Sequence, residues 1–247
     1  MIFNSYEFIF AFLPVVLVLF FIIGRVSEAL AIWMLGIASL IFYSWWDYRF
    51  LPVLVGSILF NYLMGVSISQ RDVYAHQTQK SRKNLLTVGL VINIGLLIYY
   101  KYFAFLISLM TDTSIIDYRA DKSLIAELPL GISFFTFTQI AFLVDCYQNR
   151  ARELHFGRYL LFVTYFPHLI AGPVLHHNQM MPQFRNRKIF RFSYFNVYVG
   201  FLIFSVGLSK KVLLANPLGE YADKFYRAIQ PVESHLTSLD SWLGSLA

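Results

Sequence analysis

The feature that most limits the fold of this chain is a series of long apolar runs without a charged residue. Residues 8–24 and 29–46 are two of these runs, and charged residues bound each of them on both sides. Only 14% of the 247 residues are charged, against about 25% in an ordinary soluble domain. So few charges do not cover the surface of a water-soluble globule, and the pattern therefore predicts an integral membrane protein.

The charge-free runs predict an all-α fold, a polytopic membrane helical bundle. Asn4 and Glu7 have the N-x-x-E spacing of a capped start to the first helix. The predicted spans are residues 8–24, 29–46, 50–70, 84–100, 128–144 and 192–209. Residues 212–235 mix apolar and charged side chains and predict an interfacial helix or loop. Because no repeat or flexible linker interrupts this pattern, residues 1–247 are predicted to form a single membrane domain.

Lys and Arg are unevenly divided between alternate loops. With the N-terminus outside, the inner loops hold Arg25, Arg71, Lys80, Arg82, Lys83, Arg150, Arg152 and Arg158, and the outer loops hold Arg49, Lys101, Arg119 and Lys122. Cytoplasmic loops carry the excess of basic residues, so an outside N-terminus is predicted. The net charge of +6 lies in short loops that form no continuous basic stripe. The predicted partner of these basic residues is therefore the lipid bilayer and not nucleic acid.

Residues 159–184 form an uncharged segment of a different kind. The segment contains Pro167, Gly172, Pro173 and Pro182, and basic residues flank it on both sides. Both ends are therefore predicted to lie on one side of the membrane, so that the segment enters and returns as a broken re-entrant element. Lipid cannot satisfy its freed backbone groups, so it must be buried by other helices or line a wet cavity.

Three histidines lie in this segment, and an ionisable group at membrane depth is a functional hypothesis by default. His168 follows Pro167 directly. The alternative is a structural role, in which His168 donates a hydrogen bond to a carbonyl freed by Pro167 or Pro173 and holds the bend. His176 and His177 are nearer the basic exit and are predicted to be interfacial.

Other chemistry has little support in the sequence. The single Cys146 forms no internal disulfide, and no Cys/His spacing indicates a metal site. Nucleotide-binding and zinc-hydrolase motifs are absent from the sequence, and no catalytic triad can be argued, since Asp145 has the position of a helix-end residue. Lys210 and Lys211 either attract an anionic donor such as a coenzyme phosphate or anchor the chain at lipid headgroups.

Four stretches of the sequence resemble the membrane-bound O-acyltransferase family, in its bacterial branch of alginate O-acetyltransferase membrane subunits. They are residues 1–10 (MIFNSYEFIF), 128–145 (LPLGISFFTFTQIAFLVD), 165–174 (YFPHLIAGPV) and 207–215 (GLSKKVLLA). They occur in family order along the whole chain, and the second and third are highly specific.

The resemblance implies a many-helix fold with a tunnel across the bacterial inner membrane, and in that membrane the outside N-terminus predicted from the basic loops lies in the periplasm. It implies acetyl transfer from a thioester donor, acetyl-coenzyme A, to hydroxyls of an exported polysaccharide such as alginate, with no resident cofactor and no metal. A periplasmic acetyltransferase is the implied protein partner. The family-motif and tunnel-lining residues implied by the match are Pro167, His168, Gly172, Pro173, Lys210 and Lys211.

One departure from the family pattern concerns catalysis. The family's catalytic histidine lies in a later apolar helix, and the match places that helix beyond Ala247, the last residue of the stretch 240–247. None of the residues of this chain is therefore predicted to be catalytic. His168 occupies a different motif and does not inherit that role. The expectation is a truncated member of the family that is inactive alone. Acetyl transfer by the 247-residue protein that is abolished by His168→Ala would refute it.

Two other classes of function remain open on the sequence. A broken helix with a histidine at membrane depth also describes the substrate path of a transporter or channel subunit. The other hypothesis is a non-catalytic remnant of an acyltransferase.

Overall fold

The computed structural model describes residues 3–70, 79–112, 128–151, 155–169 and 177–229, and these divide into two compact units, residues 1–191 and 192–247. Helices make up most of the described residues, and no strand occurs among them. The helices are α1 (Leu13–Val26), α2 (Glu28–Ser44), α3 (Leu51–Gln70), α4 (Gln79–Asp112), α5 (Ile132–Tyr147), α6 (Phe156–Thr164), α7 (Phe166–Leu169), α8 (His177–Phe184), α9 (Tyr194–Lys210) and α10 (Asn216–Ile229). The all-α prediction is confirmed.

Within these residues, four helical stretches are long and apolar enough to cross a membrane. They are Phe8–Val26, Tyr48–Ser69, Gln79–Tyr102 and Tyr194–Glu220. Helices α2 and α5, also predicted as spans, are apolar but shorter, at 17 and 16 residues. By contrast α4 has 34 residues, which at 1.5 Å per residue is about 51 Å and exceeds the thickness of the hydrocarbon core. The fold is that of a polytopic membrane protein.

The N-terminal cap is Ser5, and the prediction of an Asn4 cap is wrong by one residue. The backbone N–H of Phe8 donates to Ser5 Oγ at 3.3 Å. The Ser5 hydroxyl accepts a hydrogen bond from the N–H three residues later. This is the interaction that the sequence predicts for the Asn4 side chain, and serine and asparagine are equally suited to it.

Two wide π-helical turns interrupt otherwise regular helices, and each lies just before a proline. The turn Phe8–Phe12 precedes Pro14, and the turn Lys211–Ala215 precedes Pro217. A proline has no N–H to donate, and its ring crowds the carbonyl four residues earlier. The widened turn accommodates both effects, so the helix continues past the lysine pair, where the sequence predicts the span to close at residue 209.

Close helix contacts in the first unit depend on glycine. A Cβ built at Gly157 of α6 would lie 2.8 Å from Trp33 of α2, and one at Gly65 of α3 would overlap the ring of Phe142 of α5. Small residues allow backbones to approach closely where lipid supplies no hydrophobic drive for packing. These contacts join α2 to α6 and α3 to α5.

The C-terminus of α5 has a Schellman cap. The N–H of Arg150 donates to the Asp145 carbonyl at 2.8 Å, and that of Asn149 donates to the Cys146 carbonyl at 3.2 Å. Asn149 takes the left-handed conformation that this cap requires, with φ of 59°. Its Oδ1 accepts a hydrogen bond from the Arg82 guanidinium at 2.6 Å, so the start of α4 is fastened to the end of α5.

Candidate functional site

The predicted broken segment is broken at Tyr165, between α6 and α7. Tyr165 has φ of −48° and ψ of 106°, outside the helical region. The N–H of Phe166, which a continuous helix would direct to the Phe162 carbonyl, donates to Ser39 Oγ of α2 at 3.3 Å. Ser39 in turn donates to the Leu35 carbonyl at 2.8 Å. A side chain of a neighbouring helix therefore satisfies the backbone at the break.

The segment enters the bundle alongside α2. The rings of Phe156 and Trp33 lie 5.9 Å apart, and those of Phe166 and Phe42 lie 5.5 Å apart. From residue 156 to 166 the chain thus advances along α2 in the direction of that helix, from its first third to its last turn.

The segment then returns to the end of α2 from which it started. Arg187 forms a salt bridge of 2.9 Å with Glu28, the first residue of α2. The side chain of Phe190 lies against Gly24, near the end of α1. The broken segment is therefore a hairpin whose two ends lie beside the α1–α2 connection, as a re-entrant element requires. Gly172, Pro173 and His176 lie outside the described residues.

His168 lies on α7, two residues after Phe166, which packs at the last turn of α2. Both of its ring nitrogens are enclosed, and neither makes a hydrogen bond of ordinary geometry to a described residue. Its ring is 5.7 Å from that of Tyr165. Pro167, the preceding residue, is exposed in the first turn of α7. Both the functional role and the bend-holding role of His168 remain predictions.

His177 lies in a cluster of four rings from three helices, and it is only 4% exposed. Its imidazole is 5.6 Å from Phe142 of α5 and 5.3 Å from Phe162 of α6. Tyr159 completes the cluster at 4.5 Å from Phe142. The sequence predicts an interfacial His177; the protein instead buries it among aromatic side chains, because the hairpin folds α8 back against α6.

A second polar group lies between α3, α4 and α5, and sequence reasoning missed it. Ser57 Oγ donates to Gln139 Oε1 at 2.6 Å, and Asn61 donates to the same oxygen. Asn61 and Asn93 exchange hydrogen bonds, and Asn61, Asn93 and Gln139 are at most 1% exposed. Lone amides in the middle of apolar runs are the signal that could have found this group.

Lys210 and Lys211 belong to the second unit. Lys210 is the last residue of α9, and Lys211 is the first of the π-helical turn, inside the candidate span Tyr194–Glu220. The role predicted for them, with a coenzyme phosphate or with headgroups, stays a prediction. No group of three or more His, Cys, Asp or Glu that could hold a metal occurs in the described part of the chain.

The predicted position of the family's catalytic histidine, beyond Ala247, lies past the last residue of the sequence. Ala247 itself is outside the described residues, which end at residue 229. The prediction that this chain contains no catalytic residue therefore stays a prediction, as does its truncation.

Comparison with known proteins places these features in a family. Residues 40–234 match the membrane-bound O-acyltransferase family. Over its whole length the chain is 37% identical to a peptidoglycan O-acetyltransferase of Helicobacter pylori, covering 50% of that protein, and 34% identical to a probable alginate O-acetylase of Pseudomonas aeruginosa, covering 45% of it. A probable alginate O-acetylase of Azotobacter vinelandii is 32% identical and is covered to 47%.

The chain spans about half the length of the curated relatives that it matches. No solved structure matches it. The family match includes α3, the broken hairpin and the lysine pair, and it covers far more than half of the chain. The chain therefore belongs to the membrane-bound O-acyltransferase family.

Proposed function

We propose that the protein containing these residues is an O-acetyltransferase of an exported cell-envelope polysaccharide. The observation that carries this proposal is that the matched relatives are named for O-acetylation of peptidoglycan and of alginate. The hairpin supports it, because it holds ionisable side chains, His168 and His177, inside a membrane bundle.

The reaction would be acyl transfer from a thioester, with acetyl-coenzyme A as the donor. The acceptor hydroxyl oxygen attacks the thioester carbonyl, a base takes the hydroxyl proton, and the carbon–sulfur bond breaks to release the thiol. We assign the base to no residue of this chain. In this proposal Pro167, His168, Gly172 and Pro173 shape the acyl path.

The proposed setting is the bacterial inner membrane, with the N-terminus in the periplasm. Lys210 and Lys211 would then meet either the donor's phosphates or lipid headgroups. A periplasmic transferase would carry the acetyl group to an acceptor such as alginate. The family match spans residues 40–234 and so includes parts of both units, which supports the proposal of one membrane domain over residues 1–247.

The test is restoration of acetylation in a strain that lacks its own polysaccharide O-acetyltransferase membrane protein. The full reading frame containing this chain is expressed, and acetate released from isolated polysaccharide by mild alkali is measured. We expect restored acetylation, at least about a tenfold loss in His168→Ala, and little change in the matched control His155→Ala, whose side chain is exposed at the start of α6. Residues 1–247 alone should give none.

The alternatives predict other outcomes. Membrane levels of each variant are compared by immunoblot, so that loss of protein is separated from loss of function. Solute flux through proteoliposomes without any acetylation would favour a transporter or channel subunit. Neither flux nor acetylation from the full reading frame would favour a non-catalytic remnant.

A further inference from the structure

A groove lies between α3 and α4, apart from the hairpin and its histidines. Its volume is about 310 Å³, at the lower end of the range for small-molecule sites. Both walls belong to candidate membrane spans. The groove therefore lies at a depth where the surrounding solvent is lipid.

The walls of the groove are apolar. Phe60 lines it from α3, and Ile92 and Leu96 line it from α4. Gly56 leaves one part of the wall without a side chain, and a Cβ added there would meet no atom within 4 Å. A flexible hydrocarbon chain fits a narrow apolar groove of this kind.

The floor of the groove has polar residues, but their donors are already used. Asn93 Nδ2 donates to the Gly89 carbonyl at 2.7 Å and to Asn61 Oδ1 at 2.7 Å. Asn61 Nδ2 donates to the Ser57 carbonyl at 2.9 Å and to Asn93 Oδ1 at 3.1 Å. The amide donors of the lining residues Asn61 and Asn93 therefore need no partner from a ligand, so these two residues do not require a polar ligand.

One end of the groove reaches the aromatic edge of the spans, and the residue that follows this end in the sequence is a lysine. Tyr100 lines this end, and its ring lies 6.5 Å from that of Phe50. The next residue, Lys101, is exposed, with its ammonium 5.6 Å from the ring of Tyr102. Arg49, near the same end, is held in an ion pair of 2.7 Å with Asp47. Lys101 directly follows the lining residue Tyr100 and is the nearest lysine in sequence to this end, and long basic side chains near the ends of membrane helices extend towards lipid headgroups.

We propose that the groove between α3 and α4 binds one acyl chain of a membrane phospholipid, with the phosphate of that lipid at Lys101. The apolar walls select the chain, and the cation selects a phosphate-bearing headgroup. None of the lining residues belongs to the hairpin or to the lysine pair, so the groove is separate from the residues proposed for acetyl transfer.

Photolabelling of the purified product of the full reading frame containing this chain, in lipid nanodiscs, tests the proposal. The probe is a phosphatidylglycerol with a diazirine in one acyl chain, and labelled peptides are identified by mass spectrometry. We expect label in α3 and α4 at the groove. Gly56→Phe should lower it at least about tenfold, equivalent to about 1.4 kcal/mol. Gly200→Phe, another site where an added Cβ meets no atom within 4 Å, is the matched control and should not change the label.

The headgroup is tested with Lys101→Gln and with a diazirine-bearing diacylglycerol that has no phosphate. We expect the wild type to label less with the diacylglycerol, and Lys101→Gln to lower only the phosphatidylglycerol label. Equal labelling by both probes, or label that survives both Gly56→Phe and the smaller Gly56→Leu in monodisperse protein, would overturn the proposal. A photoreactive amino acid introduced at Val53 provides a second test. Crosslinking of this residue to a protein segment instead of to lipid would also overturn the proposal.

Discussion

The side-chain amides of Asn61 and Asn93 exchange two hydrogen bonds, of 3.1 and 2.7 Å, between α3 and α4. Both side chains are buried within the bundle. A reciprocal amide pair fixes the register of two helices that apolar contacts alone would allow to slide, because any shift would leave buried donors unsatisfied.

Replacing one member of this pair should therefore destabilise the bundle. We expect Asn93→Leu to lower the free energy of unfolding by about 0.6–2 kcal/mol, measured by denaturation in mixed detergent micelles. The double variant Asn61→Leu/Asn93→Leu should lower the free energy of unfolding by less than the sum of the two single variants. In the double variant neither amide remains without its partner, because both have been removed. Strict additivity would contradict a direct coupling between the two amides.

Two glycines on neighbouring helices should respond oppositely to the same substitution. Gly65→Ala places a methyl group into the ring of Phe142, and we expect a loss of about 1–3 kcal/mol from overpacking. Gly95→Ala meets no atom within 4 Å and should be neutral or stabilising by up to about 1 kcal/mol through helix propensity. Thermal denaturation in detergent compares them, and equal shifts in Tm would refute the close contact between α3 and α5.

Ser39 should control the break in the hairpin. Ser39→Ala leaves the Phe166 N–H without its acceptor, and we expect faster deuterium exchange over Phe166–Leu169 and a loss of about 1–2 kcal/mol. Ser44→Ala is the control, because Ser44 on the same helix donates to the Ile41 carbonyl within α2 and is not buried. Unchanged exchange in Ser39→Ala would mean that the serine does not support the break.

Asp47 should give the protein a small acid-sensitive contribution to stability. Hydrogen bonds from the Arg49 side chain and backbone hold the pKa of this carboxyl below its ordinary value. The stabilisation from the ionised Asp47 carboxylate is therefore fully present at a pH above the ordinary pKa of an aspartate. It is lost as the pH falls through the lower pKa of the folded state. The Tm difference between wild type and Asp47→Asn should shrink on acidification, and a constant difference would contradict the assignment.

Hydropathy was sufficient to predict most of the helices, because lipid exposure requires continuous apolar sequence. It did not predict the length of α4, since Lys101 near the membrane edge does not interrupt a helix. Nor did it predict burial of His177, which depends on how the hairpin folds back and not on neighbours in sequence. The partners of Asn61 lie on two other helices, so no local pattern identifies them.

The hydrogen bond between Phe166 and Ser39 joins residues 127 positions apart. It therefore has a consequence for biosynthesis, because the chain emerges from the ribosome in order. Helix α2 enters the membrane with Ser39 before the residue that it supports has been made. The interior of the first unit cannot close until translation passes residue 166, and until then the earlier helices must remain in the membrane as an open assembly.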